Sequence, residues 1–123
     1  MPLALKVAPD LEDADIAAIA DAVRRHRIEG VIATNTSLSR EGVEGCAHAG
    51  EAGGLSGAPI RNRATNILRK FSLQLKGEAA LIGAGGILSR GDAQEKFASG
   101  ASLVQLYTGL VYRGPDLVAQ CVP

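Results

Sequence analysis

The chain has no tryptophan, and only two tyrosines and two phenylalanines among 123 residues. So few rings cannot supply the stacking platforms on which single-stranded nucleic acid lies. Charge of one sign is also missing, since thirteen Lys and Arg balance thirteen Asp and Glu. A surface for nucleic acid or acidic lipid would need a positive surplus. The two cysteines, Cys46 and Cys121, stand far apart and match no metal spacing. They read as free, reduced thiols in a cytosolic environment. His26 sits in a basic helix end, and His48 sits in a loop without a Cys or carboxylate at ligand spacing, so no metal site is expected. No Ser-His-Asp or Cys-His nucleophile set is visible. No apolar run approaches the ~18 residues of a membrane span, and no signal peptide is read at the start.

Apolar residues make up 46% of the chain, and fifteen residues are glycine. That combination suits a single α/β domain with glycine-rich turns. Leu3 to Ala8 reads as a buried strand stopped by Pro9. Asp10 then caps a helix, with Asp13 completing an approximate capping box. Ile16, Ile19, Ala20 and Val23 recur at helical spacing, and Arg24, Arg25 and Arg27 fill the last turn. Gly30 closes the unit, and Val31 to Thr34 is a second strand. A loop with six glycines runs from Ser37 to Pro59, its Glu41, Glu44 and Glu51 reading as solvated. A helix over 62–76 carries the stripe Ala64, Ile67, Leu68, Phe71 and Leu75. Ala79 to Ile82 leads into a third strand, and Ser89 and Asp92 cap the next helix, which Gly100 ends. Ser102 to Leu106 is the fourth strand, and a last helix starts near Pro115. Strands alternating with helices predict a parallel sheet with right-handed crossovers.

In such a sheet, ligands bind over the C-terminal ends of the strands. Lys6, Thr34-Asn35-Thr36, Gly83-Ala84-Gly85-Gly86 and Tyr107-Thr108 close the four strands. Each has two readings. Lys6 is either a lysine snorkelling from a sheet rim or a fixed charge that stabilises a developing anion. The Thr-Asn-Thr run either satisfies its own turn or offers hydroxyls and an amide to a flat polar ligand. The glycine turn either bends the chain or presents N–H groups to a phosphate. Gly53-Gly54-Leu55-Ser56-Gly57 is either a hinge or part of the same grip.

Together the motifs resemble a family. LKVAPDL (5–11), TNTS (34–37), GGLSGAPIRNRAT (53–65), GAGGILSRGDA (83–93) and GASLVQLYTGLVYRGP (100–115) are similar, in order and spacing, to the C-terminal part of class 2, quinone-linked dihydroorotate dehydrogenase. The resemblance implies four of the eight units of a (β/α)8 barrel over residues 1–123, with the final helix cut short. It implies FMN as cofactor, oxidation of dihydroorotate to orotate in pyrimidine synthesis, and a quinone acceptor. By residue match, Lys6, Thr34, Gly57, Gly86, Tyr107 and Thr108 would contact FMN, while Asn35 and Thr36 would hold orotate. Ala84 and Ser37 depart mildly from the family's commoner Val or Met and Thr.

The family's serine base matches no residue here. Nor does its membrane-associating segment, through which the whole protein would sit peripherally on a membrane from the cytoplasm and meet its quinone. The resemblance therefore implies a fragment, inactive alone, with self-association of its open sheet as one way to cover it. The alternative is a non-catalytic phosphate-binding or assembly half-barrel.

Overall fold

Four short parallel strands are laid side by side in chain order, each followed by helical structure. A computed structural model describes residues 1–123. The strands are β1 (Ala4–Val7), β2 (Gly30–Ala33), β3 (Ala80–Ala84) and β4 (Leu103–Gln105), in sheet order β1-β2-β3-β4. All three pairings are parallel. The helices are α1 (Asp13–Arg25), α2 (Arg61–Leu75), α3 (Arg90–Ala98), α4 (Thr108–Arg113) and α5 (Asp116–Cys121), with a 3₁₀ turn at Ala58–Ile60 ahead of α2.

Alternation along the strands decides which side is dry. Val31, Ala33 and Leu81 point at the helices and are buried with Ile16 and Val23 of α1 and Leu68, Phe71 and Leu75 of α2. The stripe predicted for α2 is therefore the centre of the core, and Phe71 is fully buried. The other side of the sheet carries the register row Lys6, Ile32, Ile82 and Leu103. Lys6 and Leu103 of that row are exposed, and Ile32 and Ile82 are half-buried. A smaller cluster of Ile87, Ala93, Leu117 and Cys121 joins the β3–α3 turn to α5.

Several local expectations shift. Glu12, not Asp10, is the N-cap of α1, and Asp15 Oδ2 accepts from the Glu12 N–H at 3.0 Å. Asp10 is drawn away by stronger partners: it accepts from Ser37 Oγ at 2.6 Å, Leu38 N at 2.9 Å and Arg63 at 2.9 Å. Gly30 opens β2 instead of closing α1, and Arg27 lies past the helix with φ +52°. Arg24 does more than fill the last turn of α1, because its Nε donates to both Glu78 carboxylate oxygens at 3.0 Å and ties α1 to the turn after α2. The fourth strand is only three residues long, and α4 begins at once at Thr108, where a loop was expected. Ser89 caps α3 as predicted, accepting from the Asp92 N–H at 3.2 Å.

In the long loop, His48 does have a partner, since its Nδ1 lies 2.7 Å from Glu51 Oε1. Glu41 is paired too, with Arg63 at 2.5 Å. These pairings form because the loop folds back on itself rather than spreading into solvent. Arg40 gathers it by donating to the carbonyls of Ala49 and Glu51 at 3.0 Å and of Gly53 at 2.5 Å. Both cysteines are free, with Cys46 exposed and Cys121 buried.

Candidate functional site

A cleft of about 350 Å³ lies over the C-terminal ends of the four strands. Lys6, Thr34, Asn35, Thr36, Gly57, Gly86, Tyr107 and Thr108 all line it, so every candidate residue falls in one place. Ser56, Gln105 and the turn Ala84–Ile87 complete its walls. No carboxylate lines it, and Lys6 carries its one formal charge. A cleft with that balance favours an anion.

The backbone holds these groups in place. Past β2, the Thr34 N–H donates to Ala84 O at 3.0 Å, and the Asn35 N–H donates to Val7 O at 2.7 Å. The segment bearing Asn35 and Thr36 is thus pinned to the ends of both neighbouring strands. Thr34 is buried, and its hydroxyl donates to Asn35 O at 2.9 Å. Asn35 and Thr36 are exposed. Gly54 presses on Thr36: a Cβ at Gly54 would lie 1.9 Å from Thr36 Oγ1. On the opposite wall, Thr108 Oγ1 donates to Ser56 Oγ at 2.9 Å, and a Cβ on Gly57 would come within 3.0 Å of Thr108 Cγ2.

The glycine turn after β3 is built by necessity. Gly85 has φ +100° and Gly86 has φ +74°, a region that favours glycine. A Cβ at Gly86 would meet Arg61 Cβ at 2.4 Å. The N–H groups of Gly85, Gly86 and Ile87 donate to no backbone acceptor, nor do those of Tyr107 and Thr108. They are free to receive a ligand's oxygen atoms. Lys6 Nζ donates to Gln105 Oε1 at 3.0 Å across the open face of the sheet.

Behind the glycine turn lies a charged cluster. Arg61, the first residue of α2, pairs with Asp92 of α3 at 2.7 Å. Desolvation pushes the Asp92 carboxyl up, but the Leu88 N–H, the Ser89 hydroxyl and Arg61 outweigh it and hold the pKa below the usual value. Lys96 of α3 is fully buried. Its ammonium donates to Thr65 Oγ1 at 2.6 Å and Arg61 O at 3.3 Å. Burial brings its pKa down to about 8, against the pull of Glu95 and Asp92 and with a further push from Arg61.

Comparison with known proteins fits this site. The profile of the family described as dihydroorotate dehydrogenase matches residues 1–122. The chain belongs to the dihydroorotate dehydrogenase family. Among its relatives is the dihydroorotate dehydrogenase (quinone) of Dechloromonas aromatica, 59% identical over 120 residues, covering 98% of this chain and 35% of that protein. The enzyme of the same name from Paraburkholderia phymatum is 57% identical over 121 residues, again 98% of this chain and 35% of the relative. The chain thus spans about a third of the length of the curated relatives it matches. A solved dihydroorotate dehydrogenase from Eimeria tenella, in complex with ferulenol, aligns with TM-score 0.91 at 35% identity over 97% of this chain and 32% of that one. The ligand-free form from the same organism gives the same score over 97% and 33%. The four β/α units therefore correspond to part of a (β/α)8 barrel.

Gln105, Ser56 and the Arg61–Asp92–Lys96 cluster were not singled out from the sequence as site residues. Gln105 had a signal, as a polar residue inside the apolar run Leu103-Val104-Gln105-Leu106. Lys96 had a weaker one, standing three residues from Ala93 on the buried stripe of its helix.

Proposed function

We propose that this chain forms the FMN-phosphate side and part of the orotate side of a quinone-linked dihydroorotate dehydrogenase, an enzyme of pyrimidine synthesis. The observation that carries the reading is the cleft itself. Eight residues matched to the family's cofactor and substrate contacts line one carboxylate-free hollow.

The hollow suits FMN in its donor set. Unpaired N–H groups at Gly85–Ile87 and at Tyr107–Thr108 suit a phosphate dianion. The Ser56 and Thr108 hydroxyls add further polar contacts. FMN held by these residues would supply the hydride acceptor for dihydroorotate and the route of its electrons to a quinone. Lys6 would stabilise negative charge on a flavin ring bound there, and its bond to Gln105 holds the ammonium over the open face of the sheet. Asn35 and Thr36 orient the substrate ring, since Asn both donates and accepts while Thr offers a hydroxyl. Thr34 would lie beside the flavin.

No residue here matches the serine that takes the substrate proton in the family. Proton removal and quinone contact are assigned to the remaining two thirds of the relatives' length. No helix is long and apolar enough to cross a membrane. By the resemblance, peripheral contact with a membrane is also assigned to that remainder.

Joining the chain to the rest of the Dechloromonas aromatica relative tests the proposal. The joined protein should quench FMN fluorescence and reduce a soluble quinone with dihydroorotate. No quenching overturns the reading. Quenching without turnover favours the alternative of a phosphate-binding half-barrel that has lost the chemistry.

A further inference from the structure

A fully buried lysine is uncommon, and Lys96 lies outside the cleft, so its burial calls for a reason. Its stem fills the space that the absent side chain of Gly83 leaves on β3: a Cβ there would lie 2.9 Å from Lys96 Cβ. Its ammonium meets Thr65 Oγ1 at 2.6 Å, and the Thr65 hydroxyl donates to Arg61 O at 2.9 Å. Lys96 also reaches Arg61 O directly at 3.3 Å. The backbone of Arg61 is the surface against which Gly86 packs, with the Arg61 N 2.9 Å from where a Gly86 Cβ would stand. The Arg61 side chain continues to Asp92, which accepts the Leu88 N–H at 3.0 Å. One chain of contacts therefore runs from α3 through the first turn of α2 to both ends of the glycine turn.

We propose that Lys96 is a positioning residue for the anion seat: through Thr65 and Arg61 it locks the first turn of α2 against Gly86, so that the Gly85–Ile87 N–H groups converge on one phosphate. This rests on the reading of the cleft as an FMN-phosphate site. The neutral amine would keep two N–H donors, but the ammonium makes both bonds charge-assisted, so the strut is tightest in the protonated form. The charged groups around it are Glu95 and Asp92 on α3 and Arg61 on α2, while β3 carries no titratable side chain. With desolvation dominant and the lysine's pKa at about 8, the strut weakens as pH rises through that value. Anion affinity falls with it, and a bound anion draws the lysine's pKa back up.

Flavin binding to the full chain, read by fluorescence quenching, separates FMN from riboflavin, which lacks the phosphate. Lys96→Met and Thr65→Val should each weaken FMN roughly tenfold or more while leaving riboflavin unchanged, and Thr65→Ser should restore FMN binding. Wild-type FMN affinity should decline above pH 8, a decline absent for riboflavin and absent in Lys96→Met. Hydrogen exchange without ligand should speed up at Gly85–Ile87 in the variants but not at Val31. Equal loss of both flavins, or unchanged FMN affinity, pH profile and exchange, overturns the strut. If Lys96→Met does not fold, the Thr65 pair and the wild-type pH profile decide. If the wild type binds neither flavin, the cofactor reading fails, and the exchange data alone judge the strut.

Discussion

Lys6 on β1 donates to Gln105 on β4 at 3.0 Å, although two strands lie between them in the sheet. Adjacent strands stand about 4.8 Å apart, so a flat sheet would hold β1 and β4 roughly 14 Å from each other. The long lysine stem reaches its partner because the open face is concave. The bond places the cleft's charged residue at a fixed point over that face.

Lys6→Ala in the joined enzyme should lower kcat by roughly 10²–10³, as loss of a group that stabilises developing charge does. FMN affinity should change far less. Gln105→Leu should shift kcat in the same direction by a smaller factor, since the ammonium remains but loses its anchor. Steady-state kinetics and FMN titration separate the two quantities. Equal losses in both would make Lys6 a cofactor anchor only.

Gly86→Ala should abolish FMN binding and destabilise the fold, because the methyl group meets Arg61 Cβ at 2.4 Å and φ is +74°. Gly54→Ala should disturb orotate binding through Thr36, which its methyl would strike at 1.9 Å. Gly50→Ala is the control, with nothing within 4 Å. Thermal melts and flavin titration of the three variants should rank in that order of damage.

Phe71→Ala should cost about 3–5 kcal/mol in a denaturant titration, the range for emptying a fully buried aromatic site. Phe71 belongs to the core between the sheet and α1, away from the cleft. The loss should therefore appear in stability, with binding per folded molecule unchanged.

Two pH effects on stability run in the same direction but in separate windows. Desolvation raises the Asp10 carboxyl, but the Ser37 hydroxyl, the Leu38 N–H and Arg63 outweigh it and hold the pKa below 3.8. A depressed carboxylate stabilises the fold above its unfolded pKa, and that stability is lost as pH falls through the folded one. Asp92 behaves likewise. Urea midpoints should drop below pH 4, and less so in Asp10→Asn. Lys96 has the same sign at alkaline pH: with a folded pKa of about 8 against 10.5, the unfolded chain holds the extra proton between those values. Stability from this group should rise from pH 8 toward 10.5, and Lys96→Met should flatten that rise.

Much of this was legible in the residues. Short apolar runs located four strands and a period of 3.6 located three helices near their true limits, and the motifs at the strand ends gathered at one cleft. What the sequence hid is what depends on distant partners. Asp10 has every local feature of a helix cap, yet Ser37 and Arg63 claim it from 27 and 53 residues away. Beyond its spacing from Ala93, nothing marks Lys96 as buried until Gly83, thirteen positions earlier, is seen to make room for its stem. Helix α4 was missed because six residues are too few to show a periodic stripe, and Gly109 within it reads as a breaker. Gly109 is there for closeness, since a Cβ would lie 1.9 Å from Ile87 O.

Because the strands lie in the sheet in the order in which they occur along the chain, the hollow is finished from one side only. Each unit emerging from a ribosome can dock on its predecessor, but the wall formed by Tyr107 and Thr108 arrives last. Ligand capture then waits on β4: on the FMN reading proposed above, a nascent chain arrested before β4 should hold no flavin, and one extended past α4 should.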